Sequence, residues 1–212
     1  MPAGSLAPER GAGSGFVRFA GLCAILAGLA GFLYAVAFVI LARGTPALGG
    51  LLSALFLLLL GLLATPALVA LYERLRETDA PFALWGTLLA LVGAAGAAIH
   101  GGYDLANAIH PPTTLDPNAP SQIDPRGLLT FGVESIGLLV LSWLIGRTPG
   151  WPRGLAWLGY LSAILLLALY LGRLIVLDPA NPIILVPAIA NGFVVEPFWY
   201  VWLGLTLARA RD

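Results

Sequence analysis

The chain has 212 residues, 59% hydrophobic and 10% charged, with a mean hydropathy of +0.90. A soluble domain carries roughly 25% charged residues, so a water-exposed globule is excluded. Eleven acidic and 11 basic residues cancel, and every basic residue is arginine. Without lysine there is no amine for Schiff-base chemistry, and no basic patch offers itself to nucleic acid.

Residues 1–15 are rich in Gly, Ala and Pro and read as a disordered tail ahead of one membrane domain, 16–212. The apolar run that follows exceeds the ~7–15 residues of a signal-peptide core and should remain as an anchor. The single Cys23 has Leu22 before it, not the small residue of a lipoprotein site, and is expected to be a buried thiol.

A helix needs about 20 apolar residues to cross the hydrocarbon core. Six stretches qualify, at about 16–42, 47–72, 81–108, 127–146, 155–177 and 183–208. Backbone groups find no water in lipid, so each is predicted helical. The fold class is an all-α, six-helix transmembrane bundle. With the N-terminus inside, Arg10, Arg18, Arg74, Arg76, Arg147, Arg153, Arg209 and Arg211 fall on the cytoplasmic side. Arg43, Arg126 and Arg173 fall opposite, so the positive-inside rule puts both termini in the cytoplasm. Trp85, Trp151, Trp157 and Trp202 then lie near the cytoplasmic interface. The His110–Arg126 connection contains five prolines and is expected to be an extended cover on the outer face.

In the third stretch Gly86, Ala90, Ala94, Ala98 and Gly102 recur every four residues, beside a second row of Gly93, Ala97 and Gly101. Small residues at this spacing let helix backbones approach closely in lipid. The outer end of the same stretch carries His100, Tyr103, Asp104 and Asn107. His100, Asp104 and Asn107 fall within about 60° of one another at 100° per residue.

Other stretches carry ionisable groups as well. Glu134 is expected about 10 Å deep in the fourth, Arg173 about one turn from the outer end of the fifth, and Glu196 roughly 20 Å deep in the sixth. Glu196 precedes Pro197, which removes a backbone hydrogen bond. Each intramembrane charge costs roughly 2.5–3.5 kcal/mol on insertion scales. Such groups on four helices are therefore expected to face one another. The candidate binding residues are His100, Tyr103, Asp104, Asn107, Glu134, Tyr170, Arg173, Asn191 and Glu196, with His100, Asp104, Glu134 and Arg173 sharing a depth and Glu196 somewhat below. Gly192 and Tyr200 complete the deeper wall.

Three functions stay open. One is an outward-facing pocket that binds or carries a cation, a proton or a small polar molecule; six crossings is small for a carrier, so a homo-oligomer is expected. The second is a non-catalytic accessory subunit of a larger membrane complex, its polar groups a salt-bridge network such as Arg173 with Glu134 or Asp104. The third is an intramembrane metal-dependent enzyme, with His100, Asp104 and Glu134 as candidate ligands. An axial imidazole from His100 to a haem or chlorophyll is a further option. No catalytic residue is assigned, and no GxSxG or P-loop is present.

The segments Ala67-Leu68-Val69-Ala70-Leu71-Tyr72-Glu73-Arg74-Leu75, Gly150-Trp151-Pro152-Arg153-Gly154-Leu155-Ala156-Trp157-Leu158-Gly159-Tyr160 and Trp199-Tyr200-Val201-Trp202-Leu203-Gly204 lie at membrane boundaries. In these the chain resembles an uncharacterised bacterial six-span integral membrane family, a domain of unknown function. The resemblance implies a multi-pass protein of the bacterial cytoplasmic (inner) membrane and assigns no residue a role.

Overall fold

The computed structural model describes residues 12–111, 125–176 and 181–209. The described residues are helical, without strands. Helix α1 (Ala12–Ala35) runs on through a π-helical stretch, Val36–Leu41, into a last turn, α2 (Ala42–Gly44). Next come α3 (Pro46–Ile109) and α4 (Pro125–Gly127), then a second π-helical stretch, Leu128–Val133, that leads into α5 (Glu134–Arg147). After α6 (Arg153–Ile175), α7 (Pro182–Ala190) passes through a third π-helical stretch, Asn191–Val195, into α8 (Glu196–Arg209). Helix α1 begins at Ala12, inside the stretch expected to be a tail; residues 1–11 lie outside the described residues, as does most of the proline-rich connection.

The 64 residues of α3 do not form one straight rod. Asp79 has φ −162° and ψ 97°, an extended conformation that breaks the helix. Its Oδ1 accepts the Phe82 N–H at 3.3 Å, so Asp79 caps the second arm. Pro81 sits in the first turn of that arm, where its missing N–H costs no helical bond. The two arms, 46–78 and 80–109, fold back on each other. A Cβ on Gly61 would lie 2.4 Å from the Ala94 carbonyl oxygen, and one on Gly101 would lie 2.3 Å from the Leu58 nitrogen. These contacts stand at nearly equal distances on either side of Asp79, the mark of an antiparallel hairpin. Segment 73–80 was expected to link two helices, yet it is helical up to Asp79. Glu73 and Arg76 pair at 3.1 Å within it, and its Glu, Arg and Leu residues are good helix formers.

Around this hairpin the helices form a closed bundle. Helix α1 packs on α3 and on α8, α3 on α5, α5 on α6, and α6 on α7. The contacts rely on small residues. A Cβ on Gly204 would meet the Gly21 carbonyl oxygen at 2.5 Å, and one on Gly137 would meet the Ala90 nitrogen at 2.5 Å. Large apolar side chains fill the gaps, among them Trp199, Leu71, Leu141 and Leu203, and many others cover the outside: Trp157 is 72% exposed, Ile175 81% and Phe198 63%. Small residues at the closest helix contacts and apolar side chains on the outer surface are what packing in lipid selects. Five helices are long and apolar enough to cross a membrane: Gly15–Gly44, Pro46–Ile109, Leu128–Arg147, Arg153–Ile175 and Pro182–Arg209.

Candidate functional site

The bundle encloses a cavity of about 1070 Å³. It reaches one end of the bundle, where Pro111, Arg126, Leu174 and Leu185 line it beside helix ends. The chain's described ends, Ala12 and Arg209, lie at the other end, because α1 runs toward the cavity and α8 away from it. All nine candidate residues line this one cavity: His100, Tyr103, Asp104 and Asn107 from α3, Glu134 from α5, Tyr170 and Arg173 from α6, Asn191 from the third π-helical stretch and Glu196 from α8. Gly192 lines it too.

The polar groups divide into two layers. In the upper layer, Arg126 donates from Nη1 to Asp104 Oδ1 at 2.8 Å. The other Asp104 oxygen lies 3.4 Å from His100 Nε2. On its far side His100 Nδ1 meets the Thr130 hydroxyl at 3.4 Å. The Arg126 guanidinium also lies over the Tyr103 ring, 4.1 Å from its centroid, a cation–π contact. The expected pairing of Arg173 with Asp104 or Glu134 is therefore corrected: Asp104 takes Arg126, on the short helix α4 that leads into the fourth apolar run. Arg173 lines the cavity from the last turn of α6.

The lower layer is built on two carboxyls. Glu134 stands against α3 at Gly93, where a Cβ would come within 2.4 Å of the Glu134 Cβ. Gly93 is two turns below His100, about 10 Å along the axis. Glu134 is thus not level with His100 and Asp104; its ionisable neighbours are Glu196 and Tyr200. Glu196 Oε2 accepts from Asn191 Nδ2 at 2.8 Å. The buried Asn191 Oδ1 in turn accepts from the Ser162 hydroxyl at 2.8 Å. The amide that hydrogen-bonds Glu196 is neutral. Among the described residues the salt bridges lie elsewhere, in the upper layer and between Glu73 and Arg76.

The proposed metal set does not assemble. Among the described residues no three His, Cys, Asp or Glu side chains stand close enough to share an ion. His100 and Asp104 face each other, while Glu134 belongs to the layer below. With both His100 ring nitrogens facing protein partners, axial ligation of a haem or chlorophyll gains no support from the geometry.

The three π-helical stretches among the described residues all border the cavity. Phe38 and Val39 line it from the first, Thr130 and Phe131 from the second, Asn191 and Gly192 from the third. Glu134 and Glu196 are each the first residue after such a stretch. A π-turn inserts an extra residue into the helical ladder, displaces the side chains that follow, and occurs often at functional sites. In the third stretch Pro197 supplies a cause, since it cannot donate to the preceding turn. In the second, the Ser135 hydroxyl donates to the Gly132 carbonyl at 2.7 Å.

Sequence reasoning missed Tyr34, Arg126 and Thr130 on the cavity wall, and Ser162 behind Asn191. Tyr34 and Ser162 could have been noticed as lone polar groups in otherwise apolar runs. Arg126 was seen only as a loop charge.

The fold defines the class: an all-helical protein, among its described residues, with five helices long and apolar enough to cross a membrane, consistent with a multi-pass membrane protein. No known protein family, no characterised protein and no solved structure matches the chain.

Proposed function

We propose that the chain crosses a bacterial cytoplasmic membrane six times, the two arms of α3 crossing separately, with both termini in the cytoplasm. The cavity then opens outward and binds or carries a cation, a proton or a small polar molecule. The observation that carries this reading is the convergence of ionisable side chains from α3, α5, α6 and α8 on one cavity. A purely structural network requires close pairs and no hollow. A volume of about 1070 Å³ is at the upper end of ligand pockets, roughly 300–1,000 Å³. Orientation rests on charge: among described arginines, Arg18, Arg74, Arg76, Arg147, Arg153 and Arg209 lie toward the end away from the cavity, against Arg43, Arg126 and Arg173 at the cavity end.

Cysteine labelling in intact cells or spheroplasts tests both parts. In a Cys23→Ala background, Ala188→Cys on the cavity wall is expected to react with a small, membrane-impermeant thiosulfonate added from outside. Glu77→Cys and Pro149→Cys, at exposed positions between crossings, are expected to react only after permeabilisation. Silence at position 188 from both sides would remove the open cavity, and labelling at 77 or 149 from outside would invert the topology.

A further inference from the structure

We propose that the ligand of this cavity is an organic cation with an apolar body: a substituted ammonium or similar lipophilic cation, larger than a bare metal ion. The proposal rests on the cavity reading above and deepens it by naming the chemical class.

Three observations lead there. The first is size. A water molecule occupies about 30 Å³ of liquid, so a cavity of about 1070 Å³ is far more than a lone ion or proton needs. Its lining on α3 runs from Ala97 to Asn107, about 15 Å at 1.5 Å per residue.

The second is the wall between the two layers. Leu57, Leu60, Leu166, Leu169 and Phe131 face the hollow, so most of an occupant's surface would meet hydrocarbon. Tyr34 and Phe38 stack at 5.7 Å on the same wall. Aromatic faces attract cations and also bury apolar groups.

The third is the sign of the charge at the floor. Glu134 and Glu196 both line the cavity, and the group that hydrogen-bonds Glu196, the Asn191 amide, is neutral. In the upper layer, by contrast, Asp104 is matched by Arg126. A carboxylate in a poorly solvated place is stabilised by a counter-charge brought to it. An organic cation seated with its charge at the floor supplies it, while its body covers the leucine wall and excludes water from the pair. An anion would meet repulsion at the floor. A neutral molecule of the same shape would gain the wall and leave the carboxyl pair uncompensated.

Equilibrium dialysis of the full chain in detergent micelles tests this with three probes on one skeleton: a benzyltrialkylammonium, the corresponding neutral alcohol and the corresponding sulfonate. Wild type is expected to bind the ammonium at least tenfold more tightly than the alcohol, and the sulfonate not at all. In the Glu134→Gln, Glu196→Gln double variant the ammonium is expected to fall to the level of the alcohol. Preference for the alcohol or the sulfonate in wild type overturns the cationic class and leaves the cavity reading standing. Binding of none of the three, together with an unreactive Ala188→Cys, overturns both. An ammonium affinity unchanged in a monodisperse double variant also overturns the proposal. The wild-type comparison among probes decides the matter even where the double variant fails to fold.

Discussion

The hairpin of α3 makes a sharp demand on two glycines of one helix. Gly61 lies where the arms touch; a Cβ there would sit 2.4 Å from the Ala94 carbonyl oxygen and 2.6 Å from the Ala98 nitrogen. Gly50, on the same arm, would place its Cβ with nothing within 4 Å. Replacing either glycine by alanine brings the same gain in helix propensity, about 1 kcal/mol. That common term drops out of the difference between the two variants. What remains is steric. Ordinary van der Waals contact begins near 3.4 Å, so the arms must part by about 1 Å at Gly61. The obstructing atoms are backbone and cannot rotate away. Overpacking of this kind costs about 1–3 kcal/mol. Gly61→Ala is therefore expected to be less stable than Gly50→Ala by that amount, with Gly50→Ala at or slightly above wild type. Reversible unfolding in mixed detergent micelles measures both. A difference under about 0.5 kcal/mol, well below the overpacking range, would refute the close antiparallel contact, and with it the separate crossing of the two arms.

Two further expectations follow from the polar groups. A double-mutant cycle on Asp104→Ala and Arg126→Ala should give a coupling of about 1 kcal/mol, small because the Asp104 side chain is 45% exposed; a coupling near zero would show that the pair does not hold α4 against α3. Ser142 is fully buried with its hydroxyl unpaired, so Ser142→Ala should raise stability by about 1 kcal/mol by removing an unsatisfied group. A loss on thermal unfolding would mean that the hydroxyl has a partner after all.

Much of the helical frame was legible because lipid allows few alternatives. Apolar runs of sufficient length must be helices, and the rows of small residues around Gly93 and Ala94 marked the faces that α3 presents to α5 and to its own first arm. The nine candidate residues could be chosen because ionisable groups stand out in such runs, and they do share one cavity. Their grouping was not legible. Helical rise alone put Glu134 level with His100, but the Leu128–Val133 stretch is π-helical. One extra residue changes depth by only about 1.5 Å; the larger difference comes from where the fourth run begins, with Arg126 already beside Asp104 and Thr130 beside His100. Nothing in Leu-Leu-Thr-Phe-Gly-Val announces a π-turn, and nothing in Val36–Leu41 does either. Only the third stretch carries a visible cause, Pro197. The Asp104 partner was missed for a related reason: Arg126 was assigned to a loop, whereas Pro125 starts α4 and brings it beside the end of α3.

The π-helical stretches also explain how a bundle of such small residues keeps a hollow. Toward the termini the helices touch backbone to backbone, through Gly21 with Gly204 and Gly137 with Ala90, and beside the cavity the two arms of α3 still do so at Gly101 with Leu58. Helices packed that closely along their full length would leave no interior space. At the other half, three of the rods carry an extra residue in the turn facing the cavity. A π-turn widens the helix locally and shifts its axis, so contacts made on one side of the turn need not continue on the other. Two of these turns end on the floor carboxyls, Glu134 and Glu196. The irregularity that opens the space thus also aims the acidic groups into it. A chain selected only for tight packing would have little reason to place its two deepest carboxyls at those positions.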